Sequence, residues 1–302
     1  MLEIILNGLV RGACYALVAL GYTMVYGILG MINFAHGEVF MIGMFATVFG
    51  IGIASTLLPG SISMALCLGV VISILIASAF GYSNERIAYR RLRGAHIMAP
   101  LTSAIGLSIV LQNFIMLSVT KDKIDFPQAQ SRFFSENQWQ VCEGLSISYL
   151  QLLILGTSLV VMAGLFWVIH RTSLGLAMRA VAQDRTMAQL VGVSVNKTIT
   201  TTFVLGSALA AVAGVMVSMY QGVARFDSGY LMGLKAFTAA VLGGIGNIPG
   251  AVLGGLILGL TEDLTSYGIG SDWKNLTTFM ILMLVLLVRP RGLLGERTAH
   301  KV

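Results

Sequence analysis

Charge is what this chain has least of: Asp, Glu, Lys and Arg make up 11% of its 302 residues, against roughly 25% in soluble domains. That scarcity, beside 56% apolar residues, excludes an ordinary soluble globular protein. It excludes disorder too, because a mean hydropathy of +0.85 means far more apolar surface than an unfolded segment carries. Cysteine is also scarce. Cys14, Cys67 and Cys142 have no metal-ligand spacing and the first two lie in apolar runs, so no metal site is expected. No Gly-x-x-x-x-Gly-Lys-Ser/Thr run occurs, which excludes ATP hydrolysis through a P-loop of the chain's own. Met1-Leu-Glu-Ile lacks the basic start of a cleaved signal peptide, so the first hydrophobic segment is expected to be retained.

What the chain does have is uncharged length. Residues 12–37, 39–84, 94–120, 144–170, 198–224, 236–261 and 275–288 contain no Asp, Glu, Lys or Arg, and a spanning helix needs about 20 mostly apolar residues. The second interval is long enough for two crossings, with Leu57-Leu58-Pro59-Gly60-Ser61 as a turn near its middle. Ala13–Met31, 39–54 and 62–82 are then the first three helices, with Asn7 and Arg11 either preceding the first or forming a short interfacial helix. The runs are continuous and lack the alternation of β-barrel strands. The expected fold is an all-α, polytopic transmembrane bundle.

The net charge of +6 resolves once it is sorted by loop. Residues 83–97, 170–198 and the tail from 289 hold twelve basic residues against Glu85, Asp184 and Glu296. Residues 121–143, 222–235 and 262–274 hold six basic and eight acidic ones. Basic loops are retained in the cytoplasm, so the first set is placed inside, the second outside, and Met1 outside. The +6 records sidedness and implies no nucleic-acid partner. One interval breaks the alternation: both flanks of 236–261 read as external, so a full crossing there would put the tail on the wrong side. It contains Leu242-Gly-Gly-Ile-Gly-Asn-Ile-Pro-Gly250, which breaks an α-helix. Two half-length helices entering and leaving from one side restore the parity, giving about seven full crossings plus a broken or re-entrant pair at 236–261. Close helix crossing through Gly250-x-x-x-Gly254 and Gly255-x-x-x-Gly259 is the alternative use of these glycines.

A broken segment at membrane depth is tolerated where it faces protein or a water-filled cavity, so Gly243, Gly244, Asn247 and Pro249 are candidate path residues. Gly30-Met-Ile-Asn33-Phe-Ala-His36-Gly-Glu38 sets three polar groups between apolar helices. Asn33, His36 and Glu38 are therefore path candidates, the alternatives being a wet turn or a helix cap. One His and one Glu build neither a metal site nor a catalytic one. Within the spans the polar groups are uncharged, mostly Ser and Thr such as Thr238; Gln112 and Asn113 are the bulkiest. So few buried charges suit a zwitterionic or neutral, partly apolar solute moved by gating, and do not suit an ion pump. Residues 171–198 carry Ala177, Ala180, Val181, Ala188 and Val191 near helical spacing, up to Gly192. This reads as an exposed helix presenting a shallow, small-residue face to a partner.

Tyr15-Ala-Leu-Val-Ala-Leu-Gly-Tyr-Thr-Met-Val-Tyr-Gly27, Met31–Glu38 and Lys235–Gly250 resemble the LivH-type permease of bacterial branched-chain amino acid ABC importers, and the resemblance covers essentially the whole chain. It implies a single transmembrane permease domain over 1–302, with an external loop at 119–148, a cytoplasmic coupling loop at 170–198 and a cytoplasmic tail at 289–302. It implies, as partners in a cell inner membrane, a second homologous permease subunit, two cytoplasmic ATPase subunits and a periplasmic solute-binding protein. No cofactor is expected on this chain, ATP being used by the ATPase subunits, and no covalent chemistry is expected. Relatives in the family serve urea, amides and other amino acids, and an ion-coupled secondary transporter is a further alternative. The stretch from Arg179 is similar to the coupling loop of importers: its Ala-x-x-x-Gly element appears as Ala188–Gly192, while Arg179-Ala-Val-Ala182 stands where Glu-Ala-Ala is usual. Arg179, Ala182, Asp184, Ala188 and Gly192 are the coupling residues so implied.

Overall fold

The computed structural model describes residues 1–58, 60–96, 98–142 and 145–295. Pro59 of the turn after the second helix, and Glu296, Arg297 and Lys301 of the basic tail, lie outside the described residues.

The long apolar runs form helices α1 (Leu2–Leu29), α2 (His36–Leu57), α3 (Ile62–Asn84) and α4 (Met98–Ser118). After them come β1 (Ile124–Asp125), α5 (Gln128–Glu136) and the strands β2 (Gln138–Cys142) and β3 (Leu145–Ser148). The chain continues through α6 (Tyr149–Arg171), α7 (Ser173–Gln183), α8 (Arg185–Leu190), α9 (Val195–Gln221) and β4 (Val223–Ala224). It closes with α10 (Ser228–Gly243), α11 (Ile248–Gly268) and α12 (Lys274–Val288). Eight helices among the described residues have the length and apolarity to cross a membrane. The all-α polytopic architecture expected from the sequence is therefore present, as seven spans and an α10–α11 pair broken at 244–247.

The first helix is longer than its uncharged interval. It runs unbroken for 28 residues from Leu2, so Asn7 and Arg11 belong to it rather than to a separate interfacial helix. The limbs of the broken pair have 16 and 21 residues, and the second is long enough to span at 1.5 Å per residue. The chain breaks at 244–247 as expected, but the limbs are not both half-length, since α11 is itself one of the eight helices long enough to cross. The close-crossing use of the glycines holds as well. Gly243 and Gly250 cross so closely that a methyl on either would strike the other's carbonyl, while Gly255 and Gly259 admit the backbone of α1 at Ala16 and Gly12. Asn247 accepts from the Gly250 N–H at 3.1 Å, with Pro249 in the first turn, an N-cap that starts α11 cleanly.

The ends of the bundle sort as the charges do. At one end Arg185 donates to the carbonyls of Ile28 and Leu29 at 3.2 and 3.0 Å, filling acceptors that the end of α1 leaves open. There too, Glu85 is fully buried and held by Arg90, Arg93 and Thr200, which ties the end of α3 to α9. The chain after α12 docks on the α10–α11 break: Leu293 and Leu294 N–H donate to the carbonyls of Leu242 and Gly243 at 2.8 and 2.9 Å. At the opposite end β1 pairs antiparallel with β4, β2 with β3, and Gln151 donates to Asn7 at 2.8 Å. Among the described residues, the three basic segments thus gather at one end and the three acidic loops at the other.

Candidate functional site

Asn33, His36 and Glu38 are not a wet turn. They are 4%, 2% and 1% exposed, and none caps α2, whose first turn has no side-chain cap. The cause is a fold-back that periodicity does not reveal. Residues 30–35 carry no helix; the chain turns at Gly30 (φ 69°) and re-enters the bundle. His36 then packs so tightly against Gly21 and Gly206 that a methyl at Gly21 would collide with its ring. Gly21 is eight residues from the end of α1 and Gly206 eleven from the start of α9, or about 12 and 16 Å along those helices. α2 therefore begins well inside the bundle. Tyr89 donates to Asn33 at 2.6 Å, Tyr22 meets the His36 ring edge to face at 4.8 Å, and Ser108 donates to Glu38 at 3.0 Å.

The other oxygen of Glu38 touches Gly229 in the first turn of α10. That carboxylate thus faces the N-terminus of α10 while sitting in the first turn of α2, and both helix dipoles favour a negative charge there. Gly37 and Gly233 have no side chains, which lets α2 and α10 meet backbone to backbone at this point.

The remaining path candidates do not join this group. Thr238 is buried in α10 and bonds back to the Leu234 carbonyl at 2.9 Å. Asn113 does the same with Ile109 at 2.8 Å, and Gln112 beside it is half-buried on α4. Gly243, Gly244, Asn247 and Pro249 shape the break at the basic end, where Asn247 also donates to the Leu294 carbonyl at 2.8 Å.

The expectation that the spans hold no charge is overturned. Glu262 is fully buried in α11 and receives Thr278 at 2.5 Å, Tyr15 at 2.6 Å and Lys235 at 2.9 Å, with Arg11 3.9 Å away. Asp263 pairs with Arg11 at 3.2 Å and stands 4.0 Å from Lys274. Arg11, Lys235, Glu262 and Asp263 bound the uncharged intervals, and interval counting alone places them in loops. The helices continue past them, and the charges face one another across α1, α10 and α11. The usable signal is helical spacing: the small-residue face of Gly255 and Gly259 continues to Glu262, three residues after Gly259.

Beside this network lies a cavity of about 320 Å³ between α1, α2, α9 and α10. Arg11, Cys14 and Tyr15 line it from α1, and Val217 and Tyr220 from α9. Phe40, Leu231 and Met232 form an apolar wall, Lys235 stands at one side, and Arg225 and Asp227 at another. Arg225 clasps Asp227 with two hydrogen bonds of 2.9 and 2.7 Å.

At the basic end, residues 171–198 fold as two short helices rather than one. Asp184 starts the second by accepting from Thr186 and Met187 N–H at 2.8 and 3.0 Å, and Gly192 turns the chain with φ 87°. Arg179 donates to the Ile169 carbonyl and Ala182 is exposed. The small-residue face is split: Val181 and Ala188 point inward, 1% and 3% exposed, while Val191 points outward. The surface left to a partner is bulkier, with Leu176, Met187, Leu190 and Val191 exposed.

Residues 4–288 match the family described as branched-chain amino acid transport system / permease component. The chain is 48% identical over 301 residues to the high-affinity branched-chain amino acid transport system permease protein BraD of Pseudomonas aeruginosa, covering all of this chain and 98% of that one. It is 43% identical over 307 residues to LivH, the permease protein of the same kind from Escherichia coli K12, covering all of this chain and 97% of that one. A probable LivH of Methanocaldococcus jannaschii is 25% identical over 97% of this chain and 92% of its own. With its full-length match and its bundle of spanning helices, this chain belongs to the family of permease components of branched-chain amino acid transport systems.

Proposed function

We propose that the chain is the membrane-spanning permease subunit of an ABC importer and that, with a second homologous permease subunit, it forms the path of a branched-chain amino acid across a cell inner membrane. The observation that carries this reading is the full-length family match over residues 4–288 in a chain whose opposite ends carry a charged cavity and an exposed helix pair. A periplasmic binding protein delivers the solute at the end holding the cavity, beside the 119–148 loop. Two ATPase subunits dock at the basic end, which is cytoplasmic with the C-terminus, and they use the ATP; this chain holds no cofactor and breaks no bond.

The geometry supports a route for force. Docking engages Arg179, Ala182, Asp184 and Gly192 on the α7–α8 pair, which the buried Ala188 holds against the bundle. Arg185, one residue after Asp184, holds the end of α1, so a shift of α8 is passed to a helix that carries Gly21 against His36 and Arg11 and Tyr15 on the cavity. Packed helices move in discrete steps. Asn33, His36 and Glu38 line the path where the first turns of α2 and α10 meet.

The test is uptake by the complex of both permeases and both ATPases in liposomes, with binding protein outside, using labelled leucine, isoleucine, valine, other amino acids, urea and amides. ATP-dependent uptake of the branched-chain amino acids is expected. Uptake of urea or amides alone, or equal uptake by the permeases without ATPases under an ion gradient, overturns the reading.

A further inference from the structure

We infer that the 320 Å³ cavity is a solute site within the permease, recognising the zwitterionic head of an α-amino acid and packing its aliphatic side chain on Phe40, Leu231 and Met232. The inference rests on the amino acid importer reading and adds to it the place and the means of recognition.

The argument begins with charge. The groups joined through this region are Arg11, Arg225, Lys235 and Lys274 against Asp227, Glu262 and Asp263. Four cations meet three carboxylates, which leaves one positive charge uncompensated. Every cation of the set has a carboxylate within 4.0 Å, so the surplus acts as a net positive field at the cavity that draws in a carboxylate. Arg11 also presents a buried Nε–H with no acceptor, a donor that such a carboxylate satisfies.

A simple anion leaves two features of the cavity unused. Asp227 is the single carboxylate among the described lining residues, and its side chain is 37% exposed at the mouth, where it can receive an ammonium. Arg225 beside it offers a planar fork to a carboxylate. The apolar wall completes a pattern of paired head charges and a dry side. Volume agrees, since about 320 Å³ is at the small end of the roughly 300–1,000 Å³ of ligand pockets.

The experiment uses the intact complex in liposomes. Leu231, 42% exposed in the lining, is replaced as Leu231→Cys in a Cys14→Ala, Cys67→Ser, Cys142→Ser background, and its labelling rate by a small methanethiosulfonate is followed. Free leucine, titrated in the absence of binding protein until protection saturates, should slow labelling at least about fivefold, as expected when most sites are occupied. Leucine amide, which lacks the carboxylate, and 4-methylpentanoate, which lacks the ammonium, should each give less than half that protection. Adding Arg225→Gln or Asp227→Asn should abolish protection by leucine, while ATPase subunits still co-purify. Equal labelling with and without leucine, or equal protection by all three compounds, overturns the site. Leucine uptake by the unmodified complex is measured alongside. Uptake without protection sinks this inference and leaves the importer reading intact; absence of any amino acid uptake sinks that reading first.

Discussion

Replacing Glu262 with Gln keeps the shape of the side chain and removes its charge. The carboxylate is fully buried and accepts from Lys235, Thr278 and Tyr15 between 2.5 and 2.9 Å. Gln offers one oxygen in place of two, so its amide N–H faces Tyr15 if the oxygen is turned to Lys235 and Thr278. The tyrosine hydroxyl can rotate to accept, and the hydrogen-bond loss is then small. The ion pair cannot be repaired: Lys235, with its side chain 13% exposed, is left with a buried, uncompensated charge. Breaking one side of such a pair costs about 3–5 kcal/mol. Lys235→Met should cost less, because Arg11 and two hydroxyls remain around Glu262. The double variant should cost less than the sum of the two by at least about 1 kcal/mol, within the range for residues in contact. The assay is reversible unfolding in mixed micelles, compared across the cycle. A cost for Glu262→Gln below about 1 kcal/mol, the level of exposed pairs, would refute the claim that this bridge is buried and unscreened.

Four further outcomes follow from other parts of the fold. Leu294→Pro removes the N–H that reaches the Gly243 carbonyl at 2.9 Å, so it should lower stability by about 1–3 kcal/mol and speed proteolysis between α10 and α11. Gly12→Leu should prevent folding, since even a Cβ there would lie 2.8 Å from the Leu256 backbone; Gly106→Ala, with nothing within 4 Å, should be neutral or stabilising by about 0.5–1 kcal/mol, as read by thermal aggregation. Arg185→Ala withdraws both hydrogen bonds from the end of α1; ATP-driven uptake should fall roughly tenfold, the equivalent of one charge-assisted bond, with ATPase co-purification unchanged.

The number of helices and their alternation were legible because membrane burial imposes a length, and length is written in the sequence as distance between charges. The break at 244–247 was legible by parity, since Gly and Pro alone would have fitted a close crossing equally well, and at Gly250 and Gly254 they serve that crossing too. Fold-back at 30–35 was not legible. Gly30 marks the end of α1, but nothing in Met31–Ala35 says whether the chain stays at the surface or climbs back between α1 and α9. That is decided by the absence of side chains at Gly21, Gly37, Gly206 and Gly233, which only three-dimensional proximity brings into one place.

The charged network was hidden for a related reason. Counting uncharged intervals treats every charge as a boundary, and Arg11, Lys235 and Glu262 read as loop residues because they stand at such boundaries. A charge ends a span only if it has no partner at that depth. Here each has one: Arg11 and Lys235 from two different helices converge on Glu262 and Asp263 of a third, so the helices run on through their own charges. The same convergence that lets α1, α10 and α11 remain helical there leaves a positive surplus beside an apolar wall. Stability and recognition therefore draw on one set of side chains, and this is why variants at Arg225 and Asp227, which pair with each other at the mouth and not with Glu262, are the ones that separate binding of the solute from the integrity of the bundle.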